Sequence, residues 1–302
     1  CEHVFIRGEK VYSHCNFNND GIDIDSRDVI VCDCVFDNED DAICLKSDHA
    51  QPCENIVISN CIAASNCNGV KFGTSSIGGY RNISISNIVI HSAAEDNIRH
   101  WQERLHHITA PKTVISGIAI EMVDGGQIDG VSVSNVTMKD VQTPIVIRLG
   151  GRFRRGGIPL SGETCLQNIS ISNITAVSES FMSSSITACE GLKVRNVSID
   201  NMVVSHPGGG TAEMARIELP DAPKAYPENR MFGDTYPCCG FFVRNAEGVT
   251  LSNIIIVARE PDCRPALRLE GVCDCDIRAC HNTSPAGKLV SKDKACGNIC
   301  VH

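Results

Sequence analysis

The sequence predicts an all-β protein built as a parallel β-helix, a solenoid in which short strands stack coil upon coil. Three observations predict this fold. One six-residue phrase recurs along the chain, its first copies are spaced 27 residues apart, and the composition suits buried parallel strands. Repeats of about 20–50 residues are typical of solenoids, whose units bury their apolar faces only against their neighbours.

The recurring phrase is a run of alternating apolar residues that ends in Asn or Asp. Its period of two, without a helical period, predicts a strand in each copy. The copies are the segments 28–33, 55–60, 82–87, 130–135, 168–173, 191–196, 248–253 and 271–276. Successive copies end 27, 27, 48, 38, 23, 57 and 23 residues apart, which indicates a base period in the twenties with insertions.

The Asn that closes the phrase predicts a turn at which equivalent side chains form a ladder. Asn tolerates the left-handed backbone conformation and hydrogen-bonds locally, so it is common at turns. Several copies also spell N-x-S/T, the acceptor pattern for glycosylation. Because these asparagines fall at the repeat position, we favour turn formation over glycosylation.

The length and composition indicate one globular solenoid. The chain has 302 residues, of which 42% are hydrophobic and 21% charged, so it is not disordered. We expect a single β-helix domain over 1–302, with loop insertions at about 91–112, 149–162 and 206–240. The chain lacks an initiator Met and a signal peptide and begins almost in a strand, so we expect N-terminal coils to be missing.

The net charge and the distribution of apolar residues exclude two classes of partner. A net charge of −9 and a pI near 5.6 argue against nucleic-acid binding. No apolar run reaches the length needed to cross a bilayer. We therefore expect neither a nucleic-acid partner nor a membrane span.

The chain contains 18 cysteines, which in a secreted protein would suggest disulfides. Cys32 and Cys34 are two residues apart within a strand pattern, as are Cys273 and Cys275, which favours small buried core residues. No C-x-x-C spacing supports a zinc site. We expect core thiols, or a few local disulfides, and no metal.

The segment 18–46 contains two acidic turns that each lead into a short strand. Asp20 and Asp41 are 21 residues apart, so they stack on neighbouring strands about 4.8 Å apart if 21 residues make one coil. Asp40 then belongs to the same patch. Acidic residues often cap solenoid corners, but stacked like charges are unfavourable without a use. We favour a catalytic cluster, because paired carboxylates are what hydrolysis of a glycosidic bond requires.

The same register extends over further coils. It predicts an inward aliphatic stack of Ile22, Ile43, Val70, Ile118 and Ile145. It also predicts an outward polar wall beside the carboxylates that includes Lys46, Lys71, Glu121 and Arg148. An ordinary surface ion-pair ladder is the alternative for that wall. Trp101, in the first insertion, either stacks on a sugar ring or packs its loop. Arg148 and the basic segment 152–155 are a further candidate clamp for a uronate.

These residues resemble family 28 of the glycoside hydrolases, the polygalacturonases and rhamnogalacturonan hydrolases. That family is a right-handed parallel β-helix with an open cleft, and its motifs are N-T-D, a D-D pair about one coil later, G-H-G and R-I-K. Residues 18–20 of this chain resemble the N-T-D motif. Residues 40–41 resemble the D-D pair, and the sequence around them follows the pattern D-D-x-I-x-x-K-S. Asn68, Ala119 and Glu121 replace the His, Arg and Lys of the other two motifs, so the chain resembles a divergent bacterial branch.

The resemblance implies hydrolysis of an α-glycosidic bond in a pectic polysaccharide or oligosaccharide of the galacturonan or rhamnogalacturonan type, with inversion. Asp40 is then the general acid, while Asp20 and Asp41 hold and activate a water molecule. The candidate substrate-binding residues are Lys46, Asn68, Lys71, Glu121, Arg148 and Trp101. We expect no cofactor, a monomer, and an extracellular or periplasmic location, which the substrate class implies.

Two alternative functions remain open at this point. A polysaccharide lyase on the same fold would use Ca²⁺-binding carboxylates and a Lys or Arg base. A glycan-binding β-helix without activity would fit the loss of the family's His and R-I-K residues.

Overall fold

The computed structural model describes residues 1–96, 113–160 and 162–302, and these residues form a parallel β-helix. All strand pairs described are parallel, and each joins equivalent positions on successive coils. The strands are β1 (Glu2–Arg7), β2 (Lys10–Ser13), β3 (Ile22–Ile24), β4 (Arg27–Cys32), β5 (Val35–Asn38), β6 (Ile43–Ser47), β7 (Cys53–Ser65), β8 (Asn68–Ser76), β9 (Gly79–His91), β10 (Val114–Met122), β11 (Gln127–Leu149), β12 (Cys165–Ser178), β13 (Ser184–Ala188), β14 (Val194–His206), β15 (Phe241–Arg244), β16 (Ala246–Ala258), β17 (Leu267–Glu270), β18 (Cys273–Arg278), β19 (His281–Asn282), β20 (Val290–Lys292) and β21 (Gly297–Val301).

Helix is confined to two short 3-10 turns in the described residues, Met214–Arg216 and Asn229–Phe232. None of the helices in those residues has the length and apolarity needed to span a membrane.

One face of the solenoid is important for the site, and we call it the site sheet. It consists of β3, β6, β8, β10, the last part of β11, β13, β15, β17 and β20, in that order. The other strands, with the remainder of β11, form the other two faces.

The core contains the predicted aliphatic stack. Ile22 pairs with Ile43, Ile43 with Val70, Val70 with Ile118, and Ile118 with Ile145. The last four of these side chains are at most 1% exposed. Their burial provides the main apolar driving force that holds successive coils together.

The predicted Asn ladder is confirmed, and the structure contains two such ladders five residues apart. At the later corner, each Asn donates its Nδ2–H to Oδ1 of the residue one coil earlier, at 2.7–3.2 Å. The members are Asp33, Asn60, Asn87, Asn135, Asn173 and Asn201, all with φ of 53–58°. At the earlier corner, Asn55 donates to Asp28, and Asn82 donates to Asn55.

Two copies of the phrase were assigned in the wrong register. Asn196 lies in the earlier ladder, because its side chain donates to Asn168, so the true copy is 196–201 rather than 191–196. Near the C-terminus, Val249 pairs with Cys275, and the left-handed corners are Asp274 and Ala279. The last copy is therefore 274–279 rather than 271–276.

All 18 cysteines are free thiols in the structure. Cys34 is buried, as expected, but Asp33 between it and Cys32 has a φ of 58° and turns a corner. Cys32 and Cys34 therefore lie on different faces of the solenoid rather than in one strand.

The three expected insertions separate consecutive strands. The first lies between β9 and β10 and is mostly outside the described residues. The second lies between β11 and β12, and the third between β14 and β15. The third packs on the outer surface of the site sheet through a second apolar cluster formed by Met182, Leu219, Phe232, Tyr236, Cys238 and Phe242.

Replacing one ladder Asn tests the contribution of the corners to stability. Asn87→Ala removes two side-chain hydrogen bonds and leaves alanine in a left-handed conformation that it tolerates less well than asparagine, so we expect a loss of about 1–3 kcal/mol. Asn87→Gly keeps the conformation free of strain and should lose less. Urea unfolding measures both. Equal losses for the two variants would mean that the left-handed conformation contributes nothing.

Candidate active site

Asp20 and Asp41 occupy equivalent places at the start of neighbouring strands of the site sheet. Ile22 pairs with Ile43, and the backbone N–H of Gly21 donates to the carbonyl of Asp41 at 2.8 Å. The predicted offset of 21 residues is therefore confirmed. Gly21 is required there, because a β-carbon would lie 2.5 Å from the carbonyl oxygen of Ala42.

The turn that carries Asp40 is fixed by hydrogen bonds to its carboxylate and its backbone. Asp40 Oδ2 accepts from the backbone N–H of Asn18, and Oδ1 accepts from that of Asp41, each at 3.0 Å. The side chain of Asn38 donates to the carbonyls of Asp40 and Asp41 at 2.7 and 3.0 Å. Ser65 on the next coil also donates to the Asp40 carbonyl. This network places both carboxylates beside Asp20 without relying on substrate.

The carboxyl group of Asp20 has the electrostatics of a proton carrier. Burial and the charges of Asp41 and Asp40 raise its pKa to about 7, although Lys46 opposes the shift from 2.9 Å. Asp41 behaves in the opposite way. Burial would raise its pKa, but the ammonium of Lys71 at 3.0 Å and the amide of Asn68 at 2.6 Å hold it below the usual value.

Lys71 connects the carboxylates to the third insertion. Its side chain is almost fully buried and donates to the phenol oxygen of Tyr226 at 2.9 Å. Burial disfavours its charge, but Asp41 and Glu121 raise its pKa well above the usual value. Tyr226, which is half exposed, was not predicted as a site residue. It is 155 positions from Lys71, so strand register carried no signal for the contact.

These residues line one cavity of about 810 Å³ on the outer surface of the site sheet. The lining residues are Asn18, Asp20, Asp40, Asp41, Lys46, Asp48, Cys67, Lys71, Gly73, Thr74, Ser75, Ile115, Arg152, Arg154, Tyr226, Glu228 and Arg230. The structure therefore brings the predicted carboxylates and both lysines together. It adds residues from the second and third insertions, which fold over the wall.

The basic segment of the second insertion contributes unequally to the cavity. Arg152 is bonded to Asp124 and to the carbonyl of Thr74, while Arg155 is buried and donates to backbone carbonyls. Arg154 is exposed, and its guanidinium has no hydrogen bond or ion pair with any described residue. Of the three, Arg154 is the cation available to a ligand.

Two of the predicted substrate-binding residues, Asn68 and Glu121, are placed differently from the expectation. Asn68 lies behind Asp41 and orients it, rather than lining the cavity. Glu121 is 1% exposed beneath Gly73, and burial raises its pKa to about 8. Trp101 lies outside the described residues.

Arg148 does not fit the role of an outward uronate clamp. It is 1% exposed, and its guanidinium donates to the carbonyls of Asp221 and Ala222 at 2.7 and 3.4 Å. It also lies 5.3 Å from the centre of the Phe232 ring. The third insertion covers it, because that insertion packs on the surface to which Arg148 points.

Three clusters of Asp, Cys and His side chains in the described residues have ligand atoms close enough together to hold a metal ion. In each cluster, a Lys or Arg side chain already binds a carboxylate. Lys46 lies 2.9 Å from Asp20 and 2.8 Å from Asp23, which group with Cys44. In the second cluster, of Asp40, Asp41 and Cys67, Lys71 lies 3.0 Å from the carboxylate of Asp41. In the third group, of His206, Cys239 and Asp262, the carboxylate is bound by Arg264 at 2.7 Å.

The fold and the site define a parallel β-helix with a carboxylate cluster in a cavity on one face. No protein-family model matches the chain, and no curated protein sequence matches it significantly. Its fold is similar to that of a hyperthermoactive exopolygalacturonase from Thermotoga maritima, with a TM-score of 0.50 and 16% identity. The similarity covers 85% of this chain and 48% of that enzyme, so this chain spans about half of its length. At this identity the similarity establishes the fold alone.

Replacement of Arg148 tests its placement as an anchor of the third insertion. Arg148→Met removes two hydrogen bonds from a buried guanidinium to carbonyls of the third insertion, so we expect a loss of about 1–3 kcal/mol in the free energy of unfolding. Proteolysis within 206–240 should also become faster. Arg154→Met, which removes an exposed arginine without such bonds, is the control and should leave stability unchanged. Stability that is equal in both variants would contradict the anchoring role.

Proposed function

We propose that this protein hydrolyses an α-glycosidic bond in a pectic glycan, with inversion of the anomeric centre. The observation that carries the proposal is the meeting of Asp20, Asp40 and Asp41 in one cavity, on two neighbouring coils. Cleavage by inversion requires one protonated carboxyl and one carboxylate on opposite sides of the bond, with room for a water. A cavity of about 810 Å³ accommodates sugar and water together.

The roles within the cluster follow from the resemblance and from the electrostatics together. The resemblance implies that Asp40 donates the proton to the leaving oxygen, while Asp20 and Asp41 hold the water. The raised pKa of Asp20 supplies a proton to the cluster up to about pH 7. Asp20 and Asp40 line the same cavity, so the proton that Asp20 holds lies within the cluster that would meet the glycosidic bond. Asp41, ionised beside Lys71, is the partner that activates water.

The lining charges support a uronate-containing substrate. Arg154 has no hydrogen bond or ion pair with any residue that the structure describes, and Arg230 and Arg152 line the same cavity. Guanidinium groups bind carboxylates through paired hydrogen bonds, so Arg154 is suited to a uronate carboxylate. Lys46 and Lys71 are bound to the catalytic carboxylates and would contact sugar hydroxyls. A chain with net charge −9 needs such local cations to attract a polyanion.

The protonation of the two lysines favours hydrolysis over elimination. A lyase would need an unprotonated Lys or Arg as base. Burial disfavours the charge on Lys46 and Lys71, but neighbouring groups, carboxylates among them, raise the pKa of both above the usual value. Both therefore remain ammonium ions at neutral pH, so neither lysine can serve as the base of an elimination. The substrate class also implies a protein that acts outside the cytoplasm, and we include that location and a monomeric state in the proposal.

Replacement of Asp40 tests the hydrolase proposal directly. Loss of a general acid typically reduces rates by about 10²–10⁴, so Asp40→Asn should abolish most hydrolysis of pectic oligosaccharides while binding persists. Glu163→Gln, which removes an exposed carboxylate remote from the cavity, is the charge-matched control and should be fully active. Reducing-sugar release measures the rate, and NMR of the first product measures the anomer. Hydrolysis by Asp40→Asn at the parent rate would refute the acid role.

The pH dependence tests the shared proton. The cluster keeps its proton below about pH 7 and loses it above, so kcat/KM should fall as the pH rises through about 7. Lys46→Met removes a cation that lowers the pKa of Asp20, so the same fall should move to higher pH. Initial rates between about pH 5 and about pH 9, roughly two units on either side of the expected fall, measure the profile. A profile that Lys46→Met leaves in place would contradict a proton held near Asp20.

A further inference from the structure

A second cavity of about 560 Å³, which we call the distal cavity, lies on the outer surface of the site sheet near its last strands. It is lined by Arg268 of β17 and by Ser291, which pairs with it on β20. Leu267 and Leu269 on either side of Arg268 are buried in the core, so Arg268 points outward. Six strand spacings of about 4.8 Å separate β6 from β17, so the distal cavity is about 29 Å along the solenoid from the carboxylate cluster. It is therefore separate from the candidate active site.

The charged residues that line the distal cavity are mostly cationic. Arg216, Arg268 and Lys288 line it together with one acidic residue, Glu218. Arg216 and Lys288 are exposed, and neither side-chain cation has a hydrogen bond or ion pair with any residue that the structure describes. Like charges that converge without a counterion repel each other, and the chain as a whole has a net charge of −9. This local excess of cations favours an anionic ligand.

The guanidinium of Arg268 is held in place by its neighbours. Its Nε donates to Glu270 Oε1 at 3.1 Å, and its Nη1 donates to Ser291 Oγ at 3.0 Å. Glu270 also accepts from Arg244 at 2.7 and 2.9 Å, so one carboxylate serves two guanidinium groups and a positive charge is left over. Nη2 of Arg268 has no hydrogen bond with the described residues, and the Ser291 hydroxyl, which accepts from Arg268, can donate its own hydrogen. An oxygen of a bound anion can therefore accept from both groups.

The size of the distal cavity and its apolar lining indicate a ligand larger than a lone anion. Ala215, Ile217 and Pro265 line the cavity together with the charged residues. Ligand pockets typically combine such apolar surface with a few polar groups that orient the ligand. An inorganic anion would fill little of the space, whereas a sugar ring offers C–H groups to the apolar residues and hydroxyl groups to the polar ones.

From these observations we infer that the distal cavity is a second, non-catalytic binding site for an acidic oligosaccharide. A carboxylate of that ligand binds Arg268, because guanidinium groups suit carboxylates, and Arg216 and Lys288 flank it. The assignment to an acidic sugar rests on the proposed function, while the anion binding follows from the cavity itself.

Binding of trigalacturonate, measured by calorimetry, tests the inference without requiring hydrolysis. Asp40→Asn is the background, because it suppresses turnover, and it should bind two ligands per protein. Adding Arg216→Gln and Lys288→Gln should abolish one site or weaken it by about tenfold or more. Adding Lys10→Gln and Lys139→Gln instead removes the same charge from exposed positions outside both cavities and should leave two sites.

The number of sites distinguishes failure of this inference from failure of the proposed function. A single site that the Arg216 and Lys288 changes abolish would support the distal cavity and contradict the candidate active site. A single site that those changes leave intact would overturn the distal cavity alone. No binding, or equal weakening by the two pairs of changes, would also overturn the inference.

Inorganic phosphate and maltotriose, a neutral trisaccharide, test the chemistry of the ligand in the same background. Phosphate should bind at least about tenfold more weakly than trigalacturonate, because it makes no contact with the apolar lining. Maltotriose should not displace trigalacturonate, because it lacks a carboxylate. Phosphate binding as tight as that of trigalacturonate, or displacement by maltotriose, would overturn the assignment to an acidic oligosaccharide.

Discussion

The stacking of equivalent residues on successive coils is the constraint on which the rest of this structure depends. Parallel in-register strands place each side chain about 4.8 Å from its counterparts one coil earlier and later. A residue is therefore tolerated only if it interacts well with a similar neighbour. Aliphatic side chains satisfy this rule inside the solenoid. Asparagines satisfy it at the corners, since an amide both donates and accepts and the ladder can continue through coil after coil.

Charged residues do not satisfy the same rule, because like charges on neighbouring coils repel each other, and the site sheet contains such a pair. Asp20 stacks on Asp41, so the two carboxylates repel, and the chain offsets this with an ammonium ion beside each. The compensation is unequal. Asp41 has Lys71 and Asn68 and stays ionised, whereas Asp20 keeps a pKa near 7. Stacking thus separates the protonation states of two chemically identical groups, which is the condition that acid–base hydrolysis needs.

The third insertion supplies what a bare solenoid lacks. A solenoid presents a long open surface along each sheet, and nothing in the stack itself ends that surface. The insertion ends it with its own apolar cluster and with hydrogen bonds that join it to Arg148, Ser183 and Ser185. Arg148 lies on a strand of the site sheet, but its side chain binds the third insertion and holds it against the sheet. The same segment brings Tyr226 to Lys71, so one loop determines both the limit of the cavity and part of its chemistry.

The sequence by itself determined what depends on a regular period. The strand register, the aliphatic stack, the Asn corners and the meeting of Asp20 with Asp41 all follow from counting residues within a coil, because each is a contact between equivalent positions. The copies 191–196 and 271–276 were more ambiguous, since Gly191 and Gly271 have the positive φ of corner residues without being in the ladder.

Only the tertiary structure decided which outward residues remain accessible. Arg148 and Glu121 have the pattern of surface residues, yet they are buried by chain segments that lie elsewhere in the sequence. Tyr226 reaches the carboxylates across 155 positions, and no period links it to them. Loop placement depends on packing between distant segments, whereas register depends on neighbours, and this difference is the physical reason why the cluster was predictable and its enclosure was not.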